Sequence, residues 1–179
     1  METKVDAKSI MLKFGGLLGL GMVILQVIPY LTGEVYNPGS VLTLLTGFLG
    51  YGVIIACIVF AMLAFRKQNE GFMAFGEGLK VGMGVAVIGG LIVAVYTFIF
   101  MNYIEPDFAQ KILEIEMQKT LEANPQMTQK EMDMAQQIGS KFTQPWIITA
   151  ISFVGSLFFG FIVSLVASAV LQKKRHETF

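Results

Sequence analysis

Four stretches of the chain, residues 14–32, 41–65, 81–104 and 146–171, contain no Asp, Glu, Lys, Arg or His. Each is about as long as the roughly 20 apolar residues an α-helix needs to cross a hydrocarbon core about 30 Å thick. A bilayer offers no water to unpaired backbone groups, so stretches of this kind must be helical there. The reading is an all-α, polytopic membrane protein with four transmembrane helices. Composition agrees: 54% of the 179 residues are hydrophobic, 15% are charged, and the mean hydropathy is +0.65. Soluble domains carry about 25% charged residues. The net charge is zero, so no nucleic-acid partner is expected.

The placement of charge is informative. Lys4, Lys8 and Lys13 precede the first span; Arg66, Lys67 and Lys80 lie between the second and third; Lys173, Lys174 and Arg175 follow the fourth. Residues 33–40 hold no Lys or Arg and one acid, Glu34. The positive-inside rule then puts both termini and the middle loop in the cytoplasm. Tyr30, Tyr36, Tyr103 and Trp146 would mark the outer edge of the bilayer, with Phe65, Phe72 and Phe75 at the inner one. The first apolar run is longer than a signal-peptide core and has no small-x-small cleavage site after it, so it reads as a retained span.

Residues 105–145 form the one sizeable insert, and it is acidic. Lys111, Lys119, Lys130 and Lys141 stand against Glu105, Asp107, Glu114, Glu116, Glu122, Glu131 and Asp133. Phe108, Ile112 and Ile115 follow helical spacing, Asn124-Pro125 breaks it, and Thr128 with Glu131 forms a capping-box signature before the stripe Met132, Ala135, Ile138 and Phe142. The expectation is an extracytoplasmic helical hairpin between helices three and four. Its stripes either pack on each other or lie on the rim of the bundle. Its acids are either a solvated face or a partner-docking or cation-attracting surface.

Glycines stand four apart at Gly15 and Gly19 and at Gly78 and Gly82, the spacing of small-xxx-small packing faces. Gly47, Gly50, Gly52, Gly155 and Gly160 thin the other two helices. Leu12-Lys13-Phe14-Gly15 and Leu79-Lys80-Val81-Gly82 open similar Gly-rich runs, the pattern of a two-plus-two duplication or of chance likeness between apolar helices. Tyr51 and Tyr96 lie inside spans, where their hydroxyls need a carbonyl or hydroxyl partner; Gln26 is expected to bond across helices rather than line a pore. Pro29 is expected to kink or end the first helix.

Catalytic chemistry is not visible. Cys57 is the one cysteine, His176 the one histidine, and neither metal nor cofactor is expected. Ionisable groups within the bilayer are usually functional, and the four runs hold none. The nearest candidates are Glu77 and Lys80, three apart at the cytoplasmic mouth of the third span, read as an interfacial ion pair. The expectation is a non-enzymatic accessory, assembly or regulatory component. It would act through helix packing and the insert, with a membrane or periplasmic protein as partner beside the lipid bilayer. The alternative is a small passive channel or carrier.

Phe65-Arg66-Lys67 followed by Gly71-Phe72-Met73-Ala74-Phe75-Gly76-Glu77-Gly78-Leu79-Lys80-Val81-Gly82, the junction Asn102-Tyr103-Ile104-Glu105-Pro106-Asp107-Phe108, and the closing run 161–171 with Lys173-Lys174 together resemble the bacterial domain-of-unknown-function family 4199. The resemblance covers essentially the whole chain. It implies a small inner-membrane protein and supplies no catalytic or ligand-binding residues.

Overall fold

The structure, a computed structural model, describes residues 6–37 and 39–173. Lys4, Lys174, Arg175 and His176 lie outside the described residues. The chain runs α1 (Ala7–Leu31), a single 3-10 turn (Glu34–Tyr36), α2 (Val41–Gln68), α3 (Phe75–Ile99) continued by a π-helical turn (Phe100–Ile104), α4 (Phe108–Ala123), α5 (Gln129–Phe142) and α6 (Pro145–Leu171). Among the described residues α1, α2, α3 with its π turn, and α6 are long and apolar enough to cross a membrane. The protein is a four-span, multi-pass membrane protein, and α4 and α5 make a helical hairpin between its last two spans.

The helices extend past the charge-free runs because charged residues can serve helix ends. Asp6 caps α1 by accepting the Ser9 N–H at 3.1 Å. Arg66 and Lys67 occupy the last turn of α2, where cations favour the negative end of the helix dipole. Helix α3 begins at Phe75, so Gly76-Glu77-Gly78-Leu79-Lys80 is helix and not loop. Pro29 lies inside α1; the helix continues to Leu31, and Thr32 closes it with its hydroxyl on the Ile28 and Pro29 carbonyls, 3.2 Å each.

Small residues hold the bundle together. On α3, Gly78, Gly82, Ala86 and Gly90 stand every fourth residue; on α6, Ser156, Gly160, Ser164 and Ser168 do the same. They meet in constant antiparallel register, Gly78 on Ser168, Gly82 on Ser164, Ala86 on Gly160 and Gly90 on Ser156. A Cβ on Gly78 or Gly90 would come within 2.7 Å of the facing serine oxygen, and one on Gly160 within 2.5 Å of the Ala86 Cβ. The other side of α3 receives α1: a Cβ on Gly15 or Gly19 would lie 2.6 Å from the Cβ of Ile88 or Ile92, and Leu18 seats on Gly89. In lipid, dispersion and Cα–H contacts at such close approach replace the hydrophobic effect as the source of helix association. Helix α3 is therefore the central element, with α1 and α6 packed on it and α2 touching all three. No comparable packing joins α1 to α6, so the two similar-looking halves pack unequally.

The large apolar side chains point outward. Leu17, Leu20, Ile24, Phe48, Phe60, Val95, Val154 and Phe158 are exposed on the protein surface, where lipid covers them. At the end of the bundle near the termini, Ile58, Met62, Val81 and Val85 are fully buried in the interior. There the α2–α3 loop is stitched to the segment after α6: the Met73 N–H donates to the Lys173 carbonyl at 3.0 Å, and the Lys173 N–H to the Met73 carbonyl at 2.8 Å. Glu70 (φ 53°) and Gly71 (φ 86°) turn the loop through left-handed backbone, and Asn69 holds the Phe72 carbonyl at 3.0 Å.

The register between α3 and α6 makes a sharp prediction. Gly82→Val drives two methyls into Ser164 and Met62 and should destabilise the protein by about 1–3 kcal/mol, the ordinary cost of overpacking. Gly16→Ala, where a Cβ meets nothing within 4 Å, should leave stability unchanged or raise it by up to about 1 kcal/mol through helix propensity. Thermal unfolding in detergent micelles distinguishes the two.

Candidate functional site: a clasped cavity between the spans

Away from the termini the bundle opens. A cavity of about 620 Å³ lies between the four spans at the hairpin end, lined by residues such as Met22, Gln26, Gly47, Tyr51, Tyr96, Gly155 and Phe159. Its origin is a gradient of side-chain size along α2. The buried positions of that helix read Thr46, Gly50, Ile54, Ile58, Ala61, Met62 and Phe65, so α2 is thin at the hairpin end and bulkier at the other. The cavity wall is mostly apolar, because its small hydroxyls turn back onto backbone. Thr46 donates to the Leu42 carbonyl at 2.9 Å, Ser156 to the Phe153 carbonyl at 2.8 Å, and Thr43 to the Glu34 carbonyl at 2.8 Å.

Those bonds correct the expectation for the in-span tyrosines. Neither Tyr51 nor Tyr96 finds a hydroxyl or carbonyl partner among the described residues. Tyr51 instead meets Phe159 edge-on, ring centroids 5.0 Å apart, and Tyr96 stacks on Phe100 at 5.8 Å. Gln26 makes no cross-helix hydrogen bond among the described residues either, and its side chain lines the cavity.

A polar and aromatic clasp covers the hairpin end of the cavity. It begins with the π turn at the end of α3, where the Glu105 N–H reaches back to the Phe100 carbonyl at 2.8 Å. The Asn102 side chain occupies the Phe98 carbonyl at 2.8 Å, taking the acceptor that the next α-helical N–H would use. Such wide turns recur at functional sites. This one buries Phe100 and Met101 and brings Glu105 to α1, where it accepts the Tyr30 hydroxyl at 2.9 Å. The other carboxylate oxygen of Glu105 pairs with the Lys111 ammonium from α4, and that ammonium lies 5.7 Å above the Tyr36 ring. Phe108 completes the web, 5.2 Å from Phe100 and 5.9 Å from Tyr36. The Phe100–Phe108 edge contact, buried on the Phe100 side, adds about 0.5–1.5 kcal/mol beyond its area, while the half-exposed ion pair is screened by water. The aromatic web is the anchor, and Glu105 sets its geometry.

The electrostatics follow from these contacts. The Lys111 ammonium, and after it the Tyr30 hydroxyl, holds the Glu105 carboxyl below its ordinary range. The Glu105 carboxylate raises Lys111 in turn, and burial raises the Tyr36 phenol. In the hairpin the Thr128 N–H, 2.8 Å from the Glu131 carboxylate, lowers Glu131, completing the capping box expected from sequence.

Glu77 and Lys80 are not brought together as an ion pair. The Glu77 carboxylate accepts the Ala74 N–H at 2.7 Å and so serves the start of α3, while Lys80 is exposed with no carboxylate in ion-pair reach among the described residues. An orphan backbone N–H is a fixed donor at the helix start, whereas pairing would immobilise a flexible lysine. Among the described residues no three His, Cys, Asp or Glu side chains converge as a metal site would require. The clasp residues Glu105 and Lys111 were not singled out by sequence, although Glu105 stands directly after a Tyr-containing span end, the one signal available.

The family described as "Protein of unknown function (DUF4199)" matches residues 13–173. The chain belongs to this family. No curated protein and no solved structure matches it.

The clasp predicts a pH dependence with a definite sign. Glu105 is lowered from 4.5, so its contribution is present above that value and is lost as pH falls through the lower folded value. Lys111 is raised from 10.5, so its contribution is complete below that value and is lost as pH rises through the higher folded value. Limited proteolysis of the α4–α5 hairpin in micelles should be slow at pH 7 and faster at pH 3. Glu105→Gln should be cleaved quickly at pH 7 and gain less from acid than the unchanged protein, the remaining acceleration coming from protonation of the Glu131 cap of α5.

Proposed function

We propose that this protein is a non-enzymatic accessory, assembly or regulatory component of the bacterial inner membrane, with both termini cytoplasmic, acting by holding the α4–α5 hairpin outside the bilayer for a partner membrane or periplasmic protein. One observation carries the reading. The clasp fastens α4 to the bundle, while α5 keeps an apolar stripe, Met134, Ile138 and Phe142, exposed along one helical face. Leu113 of α4 packs against Gly139, which joins the two helices without covering that stripe. Exposed apolar surface bounded by charged residues is characteristic of interaction sites.

The orientation is supported by Lys8, Lys13, Arg66, Lys67, Lys80 and Lys173, which all fall at the bundle end opposite the hairpin. The polar groups within the charge-free runs are hydroxyls, amides, one indole and one thiol, a set poorly suited to proton-coupled transport or intramembrane hydrolysis. A passive channel is less well supported, because Ile58, Met62, Val81 and Val85 are fully buried and close the bundle below the cavity.

A photo-crosslinking amino acid at Ile138 or Phe142 in native membranes should give a discrete protein adduct, and one at Lys130 should not. Glu105→Gln should cut the yield severalfold by loosening the hairpin. Lipid adducts alone at Ile138 and Phe142 would overturn the reading and lay α5 on the membrane surface instead.

A further inference from the structure

The cavity poses a question separate from the hairpin's role. From Thr43 to Ile54 its α2 wall runs about 16 Å at 1.5 Å per residue, roughly half of a hydrocarbon core about 30 Å thick. Its volume of about 620 Å³ falls among ligand sites, which occupy about 300–1,000 Å³. The deep end is bridged by the Tyr51–Phe159 edge contact between α2 and α6. One turn nearer the hairpin, Gly47 on α2 and Gly155 on α6 also line the cavity, and a Cβ at either would meet nothing within 4 Å. No side chain at these two positions closes the gap between α2 and α6, so the cavity opens sideways, toward lipid.

Besides the hydroxyls already bonded, four polar groups line this space: the Gln26 amide and the Tyr51, Tyr96 and Thr97 hydroxyls. None has a hydrogen-bond partner among the described residues, and in hydrocarbon each unmet group is costly. An occupant that is purely apolar would leave them so. Charge is not called for, since the nearest ions, Glu105 and Lys111, already satisfy each other.

We propose that the cavity is a binding site for a neutral amphipathic lipid, a single acyl or isoprenoid chain ending in ester, carbonyl or hydroxyl oxygens. It is admitted between α2 and α6 at Gly47 and Gly155 and held through its oxygens by hydrogen bonds from the lining side chains Gln26, Tyr51 and Tyr96. The aromatic rings of Tyr96, Phe100 and Phe159 pack along the chain.

The test uses the full chain in phosphatidylcholine nanodiscs with a monoacylglycerol carrying a diazirine in its acyl chain. Irradiation should place adducts within residues 43–54, 96–101 and 155–159, and unlabelled monoacylglycerol should compete them away despite the excess of phosphatidylcholine. The combined change Gln26→Leu, Tyr51→Phe and Tyr96→Phe should lower this labelling about tenfold or more, as expected for the loss of two or three hydrogen bonds. Gly155→Leu, which fills the opening without touching the polar groups, should lower it as well and keeps the test decisive if the triple variant unfolds. Adducts spread evenly over outward residues beyond these segments, such as Leu20 and Phe60, labelling unchanged in both variants, or equal labelling by a diazirine phosphatidylcholine would each overturn the proposal.

Discussion

The antiparallel contact between the small-residue ridges of α3 and α6 is the constraint on which the rest of this protein depends. Four successive turns of α3 offer Gly, Gly, Ala and Gly, and four turns of α6 answer with Ser, Ser, Gly and Ser. With so little side chain between them the backbones approach closely, and lipid cannot compete for the contact. Ser164 is the one hydroxyl fully buried there without a hydrogen-bond partner among the described residues, and Ser168 reaches only the Met62 sulfur, at 3.9 Å. The serines thus act mainly as small spacers. Because α3 uses its other side for α1, this single helix fixes the positions of two neighbours.

The two ends of the bundle diverge for a reason that lies in α2. Near the termini this helix contributes Ile58, Met62 and Phe65, which fill the interior between α3 and α6. At the hairpin end it contributes Gly47 and Gly50, and α6 contributes Gly155 and Ser156, so volume is missing where the helices would otherwise meet. The clasp closes that end from above. Its π turn sends the chain out of the bundle with Glu105 directed at Tyr30, which couples the start of the hairpin to the first span.

Much of the architecture was legible in the chain. Freedom from charge over four long runs identified the spans, Asn124-Pro125 and the Thr128/Glu131 box located the hairpin turn, and the Gly15/Gly19 and Gly78/Gly82 spacings marked packing faces. Helix α3 begins before its charge-free run because charge can serve a helix start: Glu77 accepts the Ala74 N–H, and Gly78 is needed against Ser168. The partners of Tyr51, Tyr96 and Gln26 were misjudged. Counting hydroxyls on neighbouring helices does not reveal that Thr46 and Ser156 bond back to carbonyls of their own turns.

The sequence by itself determined the membrane class, the number of spans and the existence of the hairpin, since each follows from hydropathy, helix length or local capping within a few turns. Which faces meet was decided by tertiary structure. The pairing of residues 78 with 168 and 90 with 156, the joining of Tyr30 to Glu105, and the cavity between Gly47 and Gly155 all bring together positions distant along the chain. Apolar faces look alike to one another in lipid, so only the fit of small residues against small ones, or their failure to fill space, selects the arrangement.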